Sequence, residues 1–159
     1  MAELIFEDLK FEEKEDKIVV TFLDNFYFEV GKEAFNDAKF DSNKVEFAGL
    51  SEEEARNKIN VILDNGFENL KSKITNKPTI YVNKYFGLPL IGNAGFGITD
   101  RNSNMIEIKP VTGCNMNCSF CSVDEGLTSK KTSELVIDKD YLVEETKKLI
   151  ETKECEMHI

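Results

Sequence analysis

Three of the chain's four cysteines fall within the eight residues "CNMNCSFC" at 114–121, spaced C-x3-C-x2-C. A spread-out disulfide framework would not crowd its thiols in this way, and a chain without a secretion signal keeps them reduced. Clustered reduced thiols favour a metal or an iron–sulfur cluster. Thiolates at Cys114, Cys118 and Cys121, carried on a loop, can fold around three corners of a cubane cluster. The fourth iron then stays open, which is what a catalytic site needs. Gly113 gives the backbone freedom where it must leave a strand and curl. Asn115, Asn117, Ser119 and Ser122 are small polar neighbours whose N–H groups can point at sulfur.

The rival chemistry is a structural zinc site, with Cys155 or His158 as fourth ligand. Zinc usually takes its thiolates from paired C-x2-C units with distant partners. The C-x3-C spacing is unusual for it, and the aromatic Phe120 before Cys121 has no zinc rationale. A cluster that only transfers electrons would normally recruit a fourth cysteine nearby.

The elements that must position these thiols are legible around them. "MIEIKP" (105–110) reads as a strand leading straight into Gly113. A polar loop follows to Ile137, and Asp138 caps a helix over 138–153 whose Leu142, Thr146, Leu149 and Ile150 share one face. Glu144 and Lys148 form a favourably oriented i,i+4 pair on it. "CEMHI" (155–159) reads as the start of a strand. Strand, loop, helix and strand together make one β-α-β unit, which implies parallel strands and a crossover helix.

Upstream, "KIVVTF" (17–22) and "FYFEV" (26–30) form a hairpin through "LDN". "VEFAGL" (45–50) is a further short strand, and the preceding "ELIFEDLKFEE" adds an edge. Ser51 and Glu54 have the spacing of a capping box, with Ala55, Ile59, Ile62 and Leu63 at helical intervals behind them. "DNG" ending at Gly66 marks a stop or a kink, and a second helical stretch is expected over 67–74. "TIYV" (79–82) and "FGIT" (96–99) return to strand. The domain boundary falls near 97–104, giving an α+β extension over 1–100 and the cysteine-bearing part over 101–159.

In this setting the cysteine loop resembles the radical S-adenosylmethionine (radical SAM) superfamily. The resemblance rests on Cys114, Cys118 and Cys121 with Phe120 immediately before the last cysteine, and on the loop's place between a strand and a helix. The run "GITDRNSNMIEIKPVTGCNMNCSFCSVDEG" looks like an archaeal group of predicted iron–sulfur oxidoreductases of that superfamily. It implies an α/β fold in which 101–159 open a partial (βα)6 barrel. The three cysteines would bind a 4Fe-4S cluster, whose open iron chelates S-adenosyl-L-methionine. An external electron donor such as a ferredoxin or flavodoxin would reduce the cluster. Cleavage of the sulfonium would then yield a 5′-deoxyadenosyl radical that abstracts hydrogen from substrate. Phe120 would pack near cluster and adenine. Only 38 residues follow Cys121, whereas such a barrel needs roughly 200, at about 30 per strand–helix unit. The expectation is an incomplete enzyme, inactive alone.

The bulk numbers fit this reading and exclude others. Hydrophobic residues make up 41% and charged residues 31% of the 159, a composition that suits a folded protein. A net charge of −10 repels phosphate backbones and anionic lipid, so neither nucleic acid nor membrane is an expected partner. No apolar run approaches the roughly 20 residues that cross a bilayer, and the acidic N-terminus lacks the order of a secretion signal. The expected location is the cytoplasm. Cys155 reads as a small core residue, and His158, the sole histidine, as a structural contact. "GLPLIGNAGFG" (87–97) has the wrong glycine order for a dinucleotide site and reads as a turn entering a hairpin.

Overall fold

The computed structural model describes residues 2–36 and 38–156. They contain both helix and strand, and the sheets are mostly antiparallel. Two compact units divide between Thr79 and Ile80. The two strands before Asp100 thus pack with the cysteine-bearing segment.

In the first unit, β1 (Ala2–Ile5) precedes the meander β2 (Leu9–Glu13), β3 (Lys17–Phe22) and β4 (Phe26–Gly31). The β3–β4 turn places Leu23 and Asp24 at φ 48° and 60°. Next come a 3-10 turn (Lys32–Phe35), β5 (Ala38–Asp41), β6 (Lys44–Phe47) and α1 (Glu52–Phe67). The sheets run β1-β6-β5 and β2-β3-β4-β7, where β7 is Lys71–Ser72. Alternation along β1, β2 and β6 turns Leu4, Phe11, Val45 and Phe47 inward, as expected of sheets with one buried face. Phe11, Phe35 and Phe40 pack ring to ring at centroid distances of 5.1–6.3 Å.

The capping box opens α1 as its sequence predicts. Ser51 Oγ accepts from the Glu54 N–H, and the Glu54 carboxylate accepts from the Ser51 N–H at 2.9 Å. The helix ends at Phe67, within a residue of the expected stop, and Gly66 lies under the Phe28 ring, where any side chain would collide. One correction follows beyond it. The second helix expected over 67–74 is instead β7 and a turn: Phe26 and Tyr27 of β4 pair with Ser72 and Lys71, so a sheet edge overrides helical periodicity.

The second unit contains β8 (Thr79–Val82), β9 (Gly97–Asp100), β10 (Ile106–Lys109), β11 (Glu134–Ile137) and α2 (Lys139–Glu156). β9 and β10 pair antiparallel, and β8 pairs with β11. Val82, Leu90, Phe96, Ile98, Ile137 and Leu142 form its core, with Leu149 packed against them. At α2, Asp138 Oδ1 accepts from the Tyr141 N–H at 2.8 Å, the expected N-cap. Glu144 and Lys148 pair at 2.9 Å. Gly97 has φ +79°, and Leu90 O also fills the space a side chain would need.

Two expectations for this unit need correction. Residues 134–137, predicted as loop, are a strand whose Val136 bridges Val111. Cys155 lies in the last turn of α2 rather than on a strand; the remainder of that predicted strand, with His158, lies outside the described residues. Among the described residues there is mixed α and β structure but no barrel. No described helix is long and apolar enough to cross a membrane.

Candidate functional site

The cysteine loop leaves and rejoins the fold through one narrow neck. Beyond β10 the chain stays extended through Thr112 and pairs antiparallel with β11. Ile137 N–H donates to Pro110 O at 2.9 Å, Thr112 N–H to Leu135 O at 3.1 Å, and Leu135 N–H to Thr112 Oγ1 at 2.8 Å. Continuing the Val111–Val136 register brings Gly113 opposite Glu134. A Cβ on Gly113 would lie 2.7 Å from the carboxyl carbon of Glu134, whose side chain is buried. The glycine allows the close approach of this carboxylate, and no positive φ explains it.

Inside the neck, residues 123–129 return along the cysteine-bearing segment and brace it. Cys114 N–H donates to Glu125 O at 3.1 Å, and Leu127 N–H to Met116 O at 3.2 Å. Thr128 binds Asn117 Oδ1 through its hydroxyl at 2.5 Å and its N–H at 3.3 Å. Gly126 fits because a Cβ there would stand 2.5 Å from Met116 O.

Each thiol has a distinct setting. Cys114 is half-buried, and its Sγ accepts from the Met116 N–H at 3.4 Å. Cys118 is exposed and closes a turn by accepting the Cys121 N–H on its carbonyl at 3.2 Å. Cys121 is exposed, and the backbone N–H groups of Glu125, then Val123 and Asp124, lower its thiol below the usual cysteine range. Asp124, in this turn, has φ 50°. Phe120 projects into solvent, 87% exposed.

Among the described residues, no three His, Cys, Asp or Glu side chains stand together as a metal-ion site. The donor chemistry nonetheless suits an iron–sulfur cluster: three thiols occupy one braced loop, and its backbone lowers the thiol of Cys121.

A cavity of about 360 Å³ adjoins the loop, with Asn93, Thr112, Glu125, Lys131 and Ser133 among its lining. Glu125 and Lys131 pair across 3.3 Å, and the Glu125 side chain retains only 8% of its exposure. A larger open depression of about 760 Å³ over the β2–β3 turn is lined by Glu13, Lys14, Glu15, Asp16, Lys17 and Lys32 and contains no thiol. Sequence reading missed Glu125, Lys131 and Glu134. Their one visible signal was the acidic residue just after the cysteines; partners across a loop neck follow no short-range spacing.

An uncharacterized protein of Methanocaldococcus jannaschii is 45% identical to the chain over 97 residues, or 60% of the chain. The match spans 22% of that protein's length, so the chain corresponds to about a fifth of the curated relative. No family model matches the sequence, and no solved structure matches it.

Proposed function

We propose that this chain carries the cluster-binding part of a radical S-adenosylmethionine enzyme, with Cys114, Cys118 and Cys121 as the thiolate ligands of a 4Fe-4S cluster. The observation that carries the reading is the loop itself: three thiols in the C-x3-C-x2-C spacing, clasped at the neck and braced from behind by residues 123–129. The cluster and S-adenosylmethionine, when bound, supply reductive cleavage of a sulfonium and a radical able to take hydrogen from an unreactive carbon.

This chain's residues bind and orient. Half-buried Cys114 anchors the loop side of the site, while exposed Cys118 and Cys121 remain accessible. The N–H groups of residues 123–125 favour the thiolate form of Cys121 that ligation requires. Phe120 offers an uncovered ring face beside Cys121 for adenine to stack on. An external one-electron donor such as a ferredoxin or flavodoxin would meet the exposed side of the loop.

On this reading α2 is the first helix of a partial (βα)6 barrel, and β11 is an addition between the loop and that helix. Met105, Ile108 and Val111 expose apolar surface along β10 and its extension, suited to cover by further layers of a longer protein. Anaerobic reconstitution with iron and sulfide tests the proposal. A broad visible absorption band, with an electron-paramagnetic signal that changes when S-adenosylmethionine is added, is the expected result. Stoichiometric zinc with no iron uptake would refute it.

A further inference from the structure

Cys118 and Cys121 stand at the two ends of one turn. The Cys121 N–H donates to Cys118 O at 3.2 Å, with Ser119 and Phe120 between them. A turn closed in this way holds its end Cα atoms within about 7 Å of each other. A disulfide spans Cα separations of roughly 4.4–6.8 Å, so the backbone already brings the two residues into its range. All four residues of the turn are exposed, both thiols included. The base of the turn is anchored, because Asn117 Oδ1 accepts from the hydroxyl and the N–H of Thr128. Cys114 is placed otherwise. It is half-buried, its N–H donates to Glu125 O at 3.1 Å, and its Sγ accepts from the Met116 N–H at 3.4 Å.

We infer that the cysteine loop carries a redox switch, in which Cys118 and Cys121 close a reversible disulfide when the site is empty and a small-molecule disulfide is present as oxidant. One protein thiol attacks the oxidant, forming a mixed disulfide and releasing one small thiol. The second protein thiol then displaces the other small thiol. One S–S bond breaks and one forms; the two cysteines lose two electrons and two protons, and the oxidant becomes two thiols. The turn need not open for this, and the attachments at Cys114 and Asn117 lie outside the closed ring. Closure withdraws two of the three candidate ligands at once. It also shelters them from the irreversible sulfinic and sulfonic states, as suits exposed cysteines that have a resolving partner beside them.

The inference rests on the cluster-binding reading for its consequence but not for its chemistry, so two readouts separate them. The first equilibrates the purified metal-free chain with buffers of reduced and oxidised glutathione. Acid quenching, alkylation and fragment mass spectrometry then locate the bond. Cys118 and Cys121 should pair while Cys114 is alkylated, and Cys114→Ser should leave the equilibrium constant unchanged. The same constant in concentrated urea should be about 10-fold lower, because the native turn has already removed roughly one residue's worth of backbone freedom. A preferred bond to Cys114, or a constant that urea does not lower, overturns the inference whether or not iron binds. The second readout is anaerobic reconstitution of the oxidised chain. It should take up no iron until a thiol reductant is added, and then load as fully as chain that was never oxidised. Loading without reduction would overturn the blocking role. If the reduced chain takes up no iron, the functional reading fails, and the glutathione equilibrium alone decides the switch.

Discussion

Gly113 and Glu134 face each other across the neck of the cysteine loop, and the glycine leaves only enough room for the glutamate's buried carboxylate. One residue precedes the first candidate ligand and the other opens β11, so the pair sets where the loop begins and ends. Gly113→Ala should destabilise the cysteine-bearing unit by roughly 1–3 kcal/mol, the usual cost of overpacking. Burial of Glu134 hinders its side chain from simply swinging into water. A double-mutant cycle with Glu134→Ala checks the cause: the double variant should lose less than the sum of the singles. Strict additivity in denaturant unfolding would mean that the contact is irrelevant.

The thiols can be told apart by substitution. Cys114→Ser, Cys118→Ser and Cys121→Ser should each abolish retention of a reconstituted cluster, whereas Cys155→Ser should leave it unchanged. Iron and acid-labile sulfide measured per chain decide the matter. Loss of binding in Cys155→Ser would bring the zinc-type ligand set back into consideration.

The first unit offers a test independent of the cysteines. Ser51 caps α1 through the Glu54 N–H, and Ser51→Ala should cost about 1 kcal/mol. The loss should appear in urea unfolding of the first unit and leave cluster binding intact.

Acid should loosen the second unit through Asp100. The Lys153 ammonium at 2.6 Å, and secondarily the Asn102 N–H, hold its carboxyl below the ordinary aspartate value. Because the folded value is depressed, the stabilisation is present above the unfolded value of about 3.9 and disappears as pH falls through the folded one. Asp100→Asn should therefore flatten the decline in stability below about pH 4. An unchanged acid limb in the variant would show that the pair contributes nothing to folding.

Local signals in the sequence located most elements. The hairpin over β3 and β4, the Ser51 capping box and the Asp138 cap each depend on neighbours a few residues apart, and each stands where its residues indicate. Failures came where a distant partner decides. Residues 67–74 look helical alone, but β4 recruits Lys71 and Ser72. Residues 134–137 look like a loop until the extension of β10 pairs with them. The candidate site divides in the same way. Cys114, Cys118 and Cys121 announce themselves by spacing, whereas Glu125, Lys131 and Glu134 acquire meaning only when the chain doubles back on itself.

The clasp of residues 110–112 on β11 has a consequence for how the protein would tolerate an empty site. In a zinc finger the metal supplies the folding energy, and its removal melts the domain. Here the two ends of the loop are joined by backbone hydrogen bonds of their own, above a core whose described members include Val82, Ile98, Ile137 and Leu142. On the cluster-binding proposal, oxidative loss of a cluster would then be a local injury: the scaffold should persist, and repair should require only reduced thiols with fresh iron and sulfide rather than a new chain.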